Sequence, residues 1–213
     1  MFVRRSLFAI ASLAVALPFA IPAAAPAIAA PASNELKAVQ EHLAKVDSMT
    51  ASFSQTDRAG KVLTGKLTLQ KPGKIRFQYE KGVPILVVGD GTSLYFIDYS
   101  VKQVSRWPVK DSPLSILLDP SRDASKYARI VHSADPRIVS VEAYDPKHPE
   151  YGRITLIFAK QASAPGGLML QGWVALDSQN NRTTVRLDNQ KFNVPVSKNT
   201  FRFNDPRKPG RPG

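Results

Sequence analysis

The side chains able to do chemistry in this chain are few and scattered. His42, His132 and His148 stand alone, the first on a polar helix face and the last in a loop, and no three residues share metal-ligand spacing. Asp57, Asp90, Asp98 and Glu142 form no acid–base pair by spacing, and Asp90 has a simpler use in bonding backbone groups of the Gly89–Thr92 turn. No nucleophile elbow, S-x-x-K, H-E-x-x-H or phosphate-binding Gly loop is present. The chemistry on offer is apolar binding. Ile75, Phe77, Leu114, Leu117 and Trp173 come from separate segments, and on sequence alone they read as ordinary core.

The elements that must position them are mostly strands. Val62–Gln70 alternates Leu63, Gly65, Leu67 and Leu69 against polar residues, and Ile75–Glu80 alternates Ile75, Phe77 and Tyr79 against Arg76, Gln78 and Glu80. Lys71-Pro72-Gly73-Lys74 is a turn, with Gly taking the left-handed position. Ile85–Val88 and Leu94–Asp98 continue an antiparallel meander. Ser112-Pro113 starts a helix that Asp119-Pro120 stops. So short a helix must rest on an apolar surface to be stable. An earlier helix follows Ser33-Asn34, with Leu36, Val39, Leu43 and Val46 on one stripe. Tyr127–Val131, Ile138–Tyr144 and Arg153–Phe158 read as strands, Leu168–Asp177 and Arg182–Phe192 as a hairpin, and Phe201-Arg202-Phe203 as a last short strand. Asp145–Tyr151 and Ala164–Gly167 read as loops. About ten strands and two helices suggest one curved antiparallel sheet with helices across its mouth, a closed lipocalin-like barrel being the competing arrangement.

Composition bounds the class. With 213 residues, 43% hydrophobic and 22% charged, the chain is an ordinary one-domain globular protein. Arg4-Arg5, the apolar Leu7–Leu17 and a small-residue tract form a signal peptide over residues 1–29. Ala27-Ile28-Ala29 is the preferred cleavage triplet and Ala30-Pro31-Ala32 the next. The absence of Cys rules out disulfides and acyl attachment, so the exported protein is expected to be unanchored. The net charge of +12 loses two positive charges with the signal peptide. The cations are scattered singly except at Arg207–Arg211, in a basic tail at 205–213 expected to be disordered, so the reading is an acidic protein partner or anionic envelope surface and no nucleic acid.

Several runs together resemble the outer-membrane lipoprotein carrier family, LolA. They are Ala51-Ser52-Phe53-Ser54-Gln55, Gly65 with Lys71-Pro72-Gly73-Lys74-Ile75-Arg76-Phe77-Gln78-Tyr79, Leu86-Val87-Val88-Gly89-Asp90-Gly91-Thr92-Ser93-Leu94-Tyr95, and Gln103-Val104 with Ser112–Leu118 as a lid segment. The resemblance spans about Asn34 to Phe203 and implies a carrier domain over 33–204, built as an unclosed antiparallel β-barrel whose short helices form a lid over a hydrophobic cavity. It implies that Phe53, Ile75, Phe77, Leu86, Val88, Leu114, Leu117, Leu118 and Trp173 face lipid. Before Pro72 the family often has Arg, which bonds lid carbonyls; here Lys71, or Arg76 nearby, would be the latch. The implied function is a periplasmic, non-enzymatic, cofactor-free and monomeric carrier of acylated lipoproteins. It would load from an inner-membrane ABC transporter and deliver to an outer-membrane receptor. The alternative is a module of the same fold for another lipid or glycolipid, or an envelope-stress sensor domain.

Overall fold

A computed structural model describes residues 32–112, 114–119 and 127–207. The signal-peptide segment, Pro113, Pro120 and the last six residues of the basic tail therefore lie outside the described residues. Helix α1 (Ala32–Lys45) leads into strands β1 (Ser48–Thr56), β2 (Val62–Gln70), β3 (Lys74–Tyr79), β4 (Ile85–Asp90), β5 (Ser93–Asp98) and β6 (Gln103–Pro108). A short 3-10 turn at Val109–Asp111 and the four-residue α2 (Ser115–Leu118) follow. The chain then returns through β7 (Ala128–Val131), β8 (Ile138–Tyr144), β9 (Arg153–Lys160), β10 (Leu168–Leu176) and β11 (Arg182–Phe192). No described helix is long and apolar enough to cross a membrane.

All eleven strands join one antiparallel sheet in the order β6-β5-β4-β3-β2-β1-β11-β10-β9-β8-β7. It is two meanders stitched together by β1 against β11, and β6 and β7 do not pair, so the sheet does not close into a barrel. This settles the choice between open and closed barrels in favour of the open one. The segment carrying α2 links β6 to β7, the opposite edges of the sheet, and its residues Leu114 and Ile116–Leu118 pack with the main core. Curvature follows from one contact. Phe77 on β3 and Trp173 on β10 are four strand steps apart, about 19 Å in a flat sheet. Their ring centroids nonetheless lie 6.0 Å apart, edge to face.

The concave face holds the main core, in which Val39 and Leu43 of α1 meet Met49, Leu67, Ile75, Leu156 and Phe158 of the sheet. Gly65 makes room in this layer: a Cβ there would lie 2.8 Å from the Phe53 ring and 2.2 Å from the Gln78 carbonyl oxygen. Phe53 can thus pack edge-on against both Phe77 and Tyr79. The convex face carries a smaller cluster of Leu86, Val88, Ile97 and Phe201.

Three expectations are corrected. Gln103-Val104 belongs to edge strand β6 and not to the lid, because it pairs in register with Ile97 and Asp98. Phe201-Arg202-Phe203 is not a strand: the segment is held on the convex face by Arg76, whose Nη1 donates to the carbonyls of Thr200 (3.1 Å) and Arg202 (3.0 Å). His42 is not on a polar face but 1% exposed. It lies about 40° around the helix from Val46, at the flank of the apolar stripe. Its Nδ1–H donates to the Pro165 carbonyl at 2.8 Å, and its ring packs edge-on against Phe158 and Phe192.

Candidate functional site: a lidded apolar cleft

Between the concave face and the lid segment lies a cleft of about 310 Å³. Strand pairing builds it. Phe77, Val87 and Phe96 stand in one cross-strand row on β3, β4 and β5, and Trp107 on β6 pairs with Leu94 to end the wall at the sheet's free edge. From the other meander come Trp173 and Val185, which are direct partners on β10 and β11. Leu114 roofs the cleft from the lid. The lining is mostly apolar, with Gln55, Tyr79, Ser112 and Thr183 as its polar members. Tyr79 Oη donates to Gln55 Oε1 at 2.9 Å. Burial pushes the Tyr79 pKa up to about 12 against the opposing pull of the Gln55 bond, so the phenol stays neutral at physiological pH.

The residues expected to face lipid divide into three groups. Phe77, Leu114 and Trp173 line the cleft. Phe53, Ile75, Leu117 and Leu118 belong to the same apolar cluster but are packed beneath the surface, Ile75 and Leu118 with no exposure at all. Leu86 and Val88 point the other way, into the convex cluster with Ile97 and Phe201, and it is Val87 between them that faces the cleft. A continuous apolar run carries no parity of its own. Only the pairing of Val87 with Phe77 decides which face is which. Sequence reading also missed Phe96 and Trp107 as lining residues; the pairing of Phe96 with Val87 and of Trp107 with Leu94 puts them on the cleft face.

Backbone groups help fasten the lid. Gly73, with φ of 68°, directs its N–H to the Leu118 carbonyl at the end of α2 (2.9 Å), and a side chain at that position would strike the Gly91 carbonyl. At the other end of α2, Ser112 Oγ accepts from the Leu114 N–H at 3.1 Å. Lys71 is a fastening too, but of a different helix: its Nζ donates to the Leu43 carbonyl in the last turn of α1. Burial lowers its pKa to about 8, with Asp47 pulling the other way. Arg76 plays no part at the lid, since it points to the convex side and clasps the C-terminal segment.

Asp90 does what its turn requires, accepting from the Thr92 and Ser93 N–H groups at 2.8 Å each. A second hollow of about 520 Å³ lies among Pro72, Thr92, Arg106, Val109, Lys110 and Asp119, and three of these side chains are charged. Among the described residues no three His, Cys, Asp or Glu side chains cluster as metal ligands.

An open antiparallel half-barrel with a short helix beside an aromatic cleft defines the class of fold. The sequence agrees: the chain belongs to the family described as outer membrane lipoprotein carrier protein LolA, whose model matches residues 44–204. An outer-membrane lipoprotein carrier protein of Pseudoalteromonas translucida (strain TAC 125) is 27% identical over 182 residues, covering 82% of this chain and 85% of that one. An uncharacterized protein of Rickettsia prowazekii (strain Madrid E) is 31% identical over 91 residues, and that match spans only 43% of either chain. Among solved structures, a DUF1329 family protein from Desulfovibrio piger ATCC 29098 superposes with a TM-score of 0.48 at 11% identity, covering 81% of this chain and 97% of that one.

Proposed function

We propose that this protein is a periplasmic carrier that takes acylated lipoproteins from an inner-membrane ATP-driven transporter and hands them to an outer-membrane receptor. It works as a monomer once residues 1–29 are removed on export. The observation that carries the reading is the lidded apolar cleft floored by Phe77 and Trp173, in a chain of the lipoprotein carrier family. Each acyl methylene buried is worth about 0.8 kcal/mol, so one chain of about sixteen carbons supplies a large driving force without any specific polar contact. The cleft's 310 Å³ is at the low end of the roughly 300–1,000 Å³ typical of ligand sites. Two or three acyl chains therefore require the lid to lift.

Lifting the lid exposes Ile116, Leu117 and Leu118, a cost that an entering acyl chain offsets by burying its own methylenes. A four-residue helix has no stability of its own, so α2 is held by the burial of Ile116, Leu117 and Leu118 and by the Gly73–Leu118 backbone bond. Release needs the same property, since a carrier that cannot let go does not deliver. The energy for loading comes from the transporter.

The test is native mass spectrometry of the full chain isolated from a Gram-negative periplasm, with release of acylated lipoprotein from spheroplasts as the functional readout. Co-isolated acylated lipoprotein and stimulated release are expected. A bound glycolipid with no lipoprotein release would replace this reading with a carrier for another lipid.

A further inference from the structure

The convex face opposite the cleft has an arrangement that the carrier reading does not use. Strand β1 reads Ser-Met-Thr-Ala-Ser-Phe-Ser-Gln-Thr, so every outward residue is a short hydroxyl: Thr50, Ser52, Ser54 and Thr56 follow the buried Ser48. Long cations flank this row. Lys66 on β2 pairs with Ser52, while Arg186 and Lys191 on β11 pair with Ser54 and Thr50. The two flanking strands lie two steps apart, about 10 Å, so the cations wall a shallow trough floored by hydroxyls. Lys66, Arg186 and Lys191 are exposed, and none makes an ion pair or side-chain hydrogen bond to a described residue. Asp188, opposite Ser52, is the acidic residue in the same rows. The C-terminal segment leaves β11 at one end of this trough, where the Val194 carbonyl accepts from Ser48 Oγ, and lies over β3–β5 through Phe201 and the Arg76 clasp.

We infer that the outer face of β2–β1–β11 is a docking surface for an acidic protein partner. Unpaired cations attract carboxylates, and the hydroxyl floor can donate to them without blocking approach. Beyond β11 the same face continues into half-buried Val174 on β10 and Ile157 on β9, so charge adjoins apolar surface as in protein interfaces. A bilayer fits less well, because the face is convex and presents no aromatic anchor. The surface stands behind the cleft, so a partner docked there leaves the lid free to move. This inference does not depend on what the cleft holds.

The probe is poly-L-glutamate, titrated into the full chain and followed by backbone NMR. Shifts are expected at Ser52, Ser54, Lys66 and Arg186, weakening as salt is added. Lys66→Glu/Arg186→Glu/Lys191→Glu should weaken binding by about tenfold or more while Tm and circular dichroism hold. Lys102→Glu/Lys147→Glu/Lys198→Glu, an equal charge change at exposed sites elsewhere, should leave binding within about twofold. Equal losses in both variants would reduce the effect to net charge and overturn the proposal. So would phosphatidylglycerol vesicles that bind through the trough cations while poly-L-glutamate does not.

Discussion

The indole of Trp173 and the ring of Phe77 meet edge to face across the cleft floor, their centroids 6.0 Å apart. This contact ties β3 to β10 and brings the two meanders together where an acyl chain would lie. Anything entering the cleft must pass over it or part it.

Two tryptophans therefore report on occupancy in different ways. Trp107 lines the cleft yet is 36% exposed at the sheet's free edge, while Trp173 is 3% exposed. In a Trp173→Phe variant, a long-chain fatty-acid probe should blue-shift Trp107 emission as water leaves its surface. In a Trp107→Phe variant, Trp173 should change in intensity with little shift. No response from either indole at saturating probe would place the ligand outside this cleft.

Leu117→Glu should free the lid and leave the sheet folded. Leu117 is 3% exposed within the main cluster, and a carboxylate without a partner there costs several kcal/mol. Because α2 has only four residues and no stability of its own, peeling this turn off the sheet is the route that relieves the penalty. Probe affinity should fall by about tenfold or more with unchanged strand circular dichroism. Retained affinity would show that the lid does not close the site.

Lys71 makes a prediction about alkaline pH. Its folded pKa of about 8 lies below the ordinary 10.5, so below pH 8 both folded and unfolded chains carry the charge and the folded one bears the burial penalty. Between about 8 and 10.5 the folded lysine loses its proton first, and stability should rise with pH. The neutral amine still donates to the Leu43 carbonyl. Urea unfolding at pH 7.5 and 9.5 should show this rise in the wild type and its loss in Lys71→Met.

His42 works in the opposite pH range. Burial, chiefly, and the neighbouring Lys71 charge lower its pKa, against the bonds to the Pro165 and Leu168 carbonyls. The unfolded histidine takes up a proton near pH 6.5 that the folded one refuses, so stability present above that pH is lost on acidification. The urea midpoint should fall more between pH 7.5 and 5 in the wild type than in His42→Gln. Equal falls would mean that carboxylates alone govern acid sensitivity.

Arg76→Ala should loosen the C-terminal segment and spare the cleft. Its bonds to the Thr200 and Arg202 carbonyls are partly exposed and worth about 1 kcal/mol in total. Faster proteolysis between Val196 and Arg207 with unchanged probe affinity is expected. A loss of affinity would return Arg76 to the lid.

Much of the fold was legible because one face of each strand is buried. The alternation in Val62–Gln70 and Ile75–Glu80 set both strands and their inward residues, and the pattern in Arg182–Phe192 set β11. What escaped reading depends on register between distant segments. β6 has little apolar content, being an edge strand with one partner, and Val87 could be told from Leu86 and Val88 only through Phe77. Phe201-Arg202-Phe203 alternates like a strand, yet its backbone carbonyls are claimed by a guanidinium instead of a ladder. His42 was misplaced because its partners, Pro165, Phe158 and Phe192, all lie far along the chain.

The segment from β6 to β7 is joined by sequence to both free edges of the sheet, as a string is tied to both ends of a bow. Both ends of the lid are therefore tethered, and it cannot swing away as a door would. To admit a wider cargo the string must slacken or the bow must straighten, drawing β6 and β7 apart about the β1–β11 seam. On the proposed carrier reading, the contour length of that segment would set a ceiling on the lipid taken aboard. Lengthening it by a few glycines would raise capacity and weaken retention together.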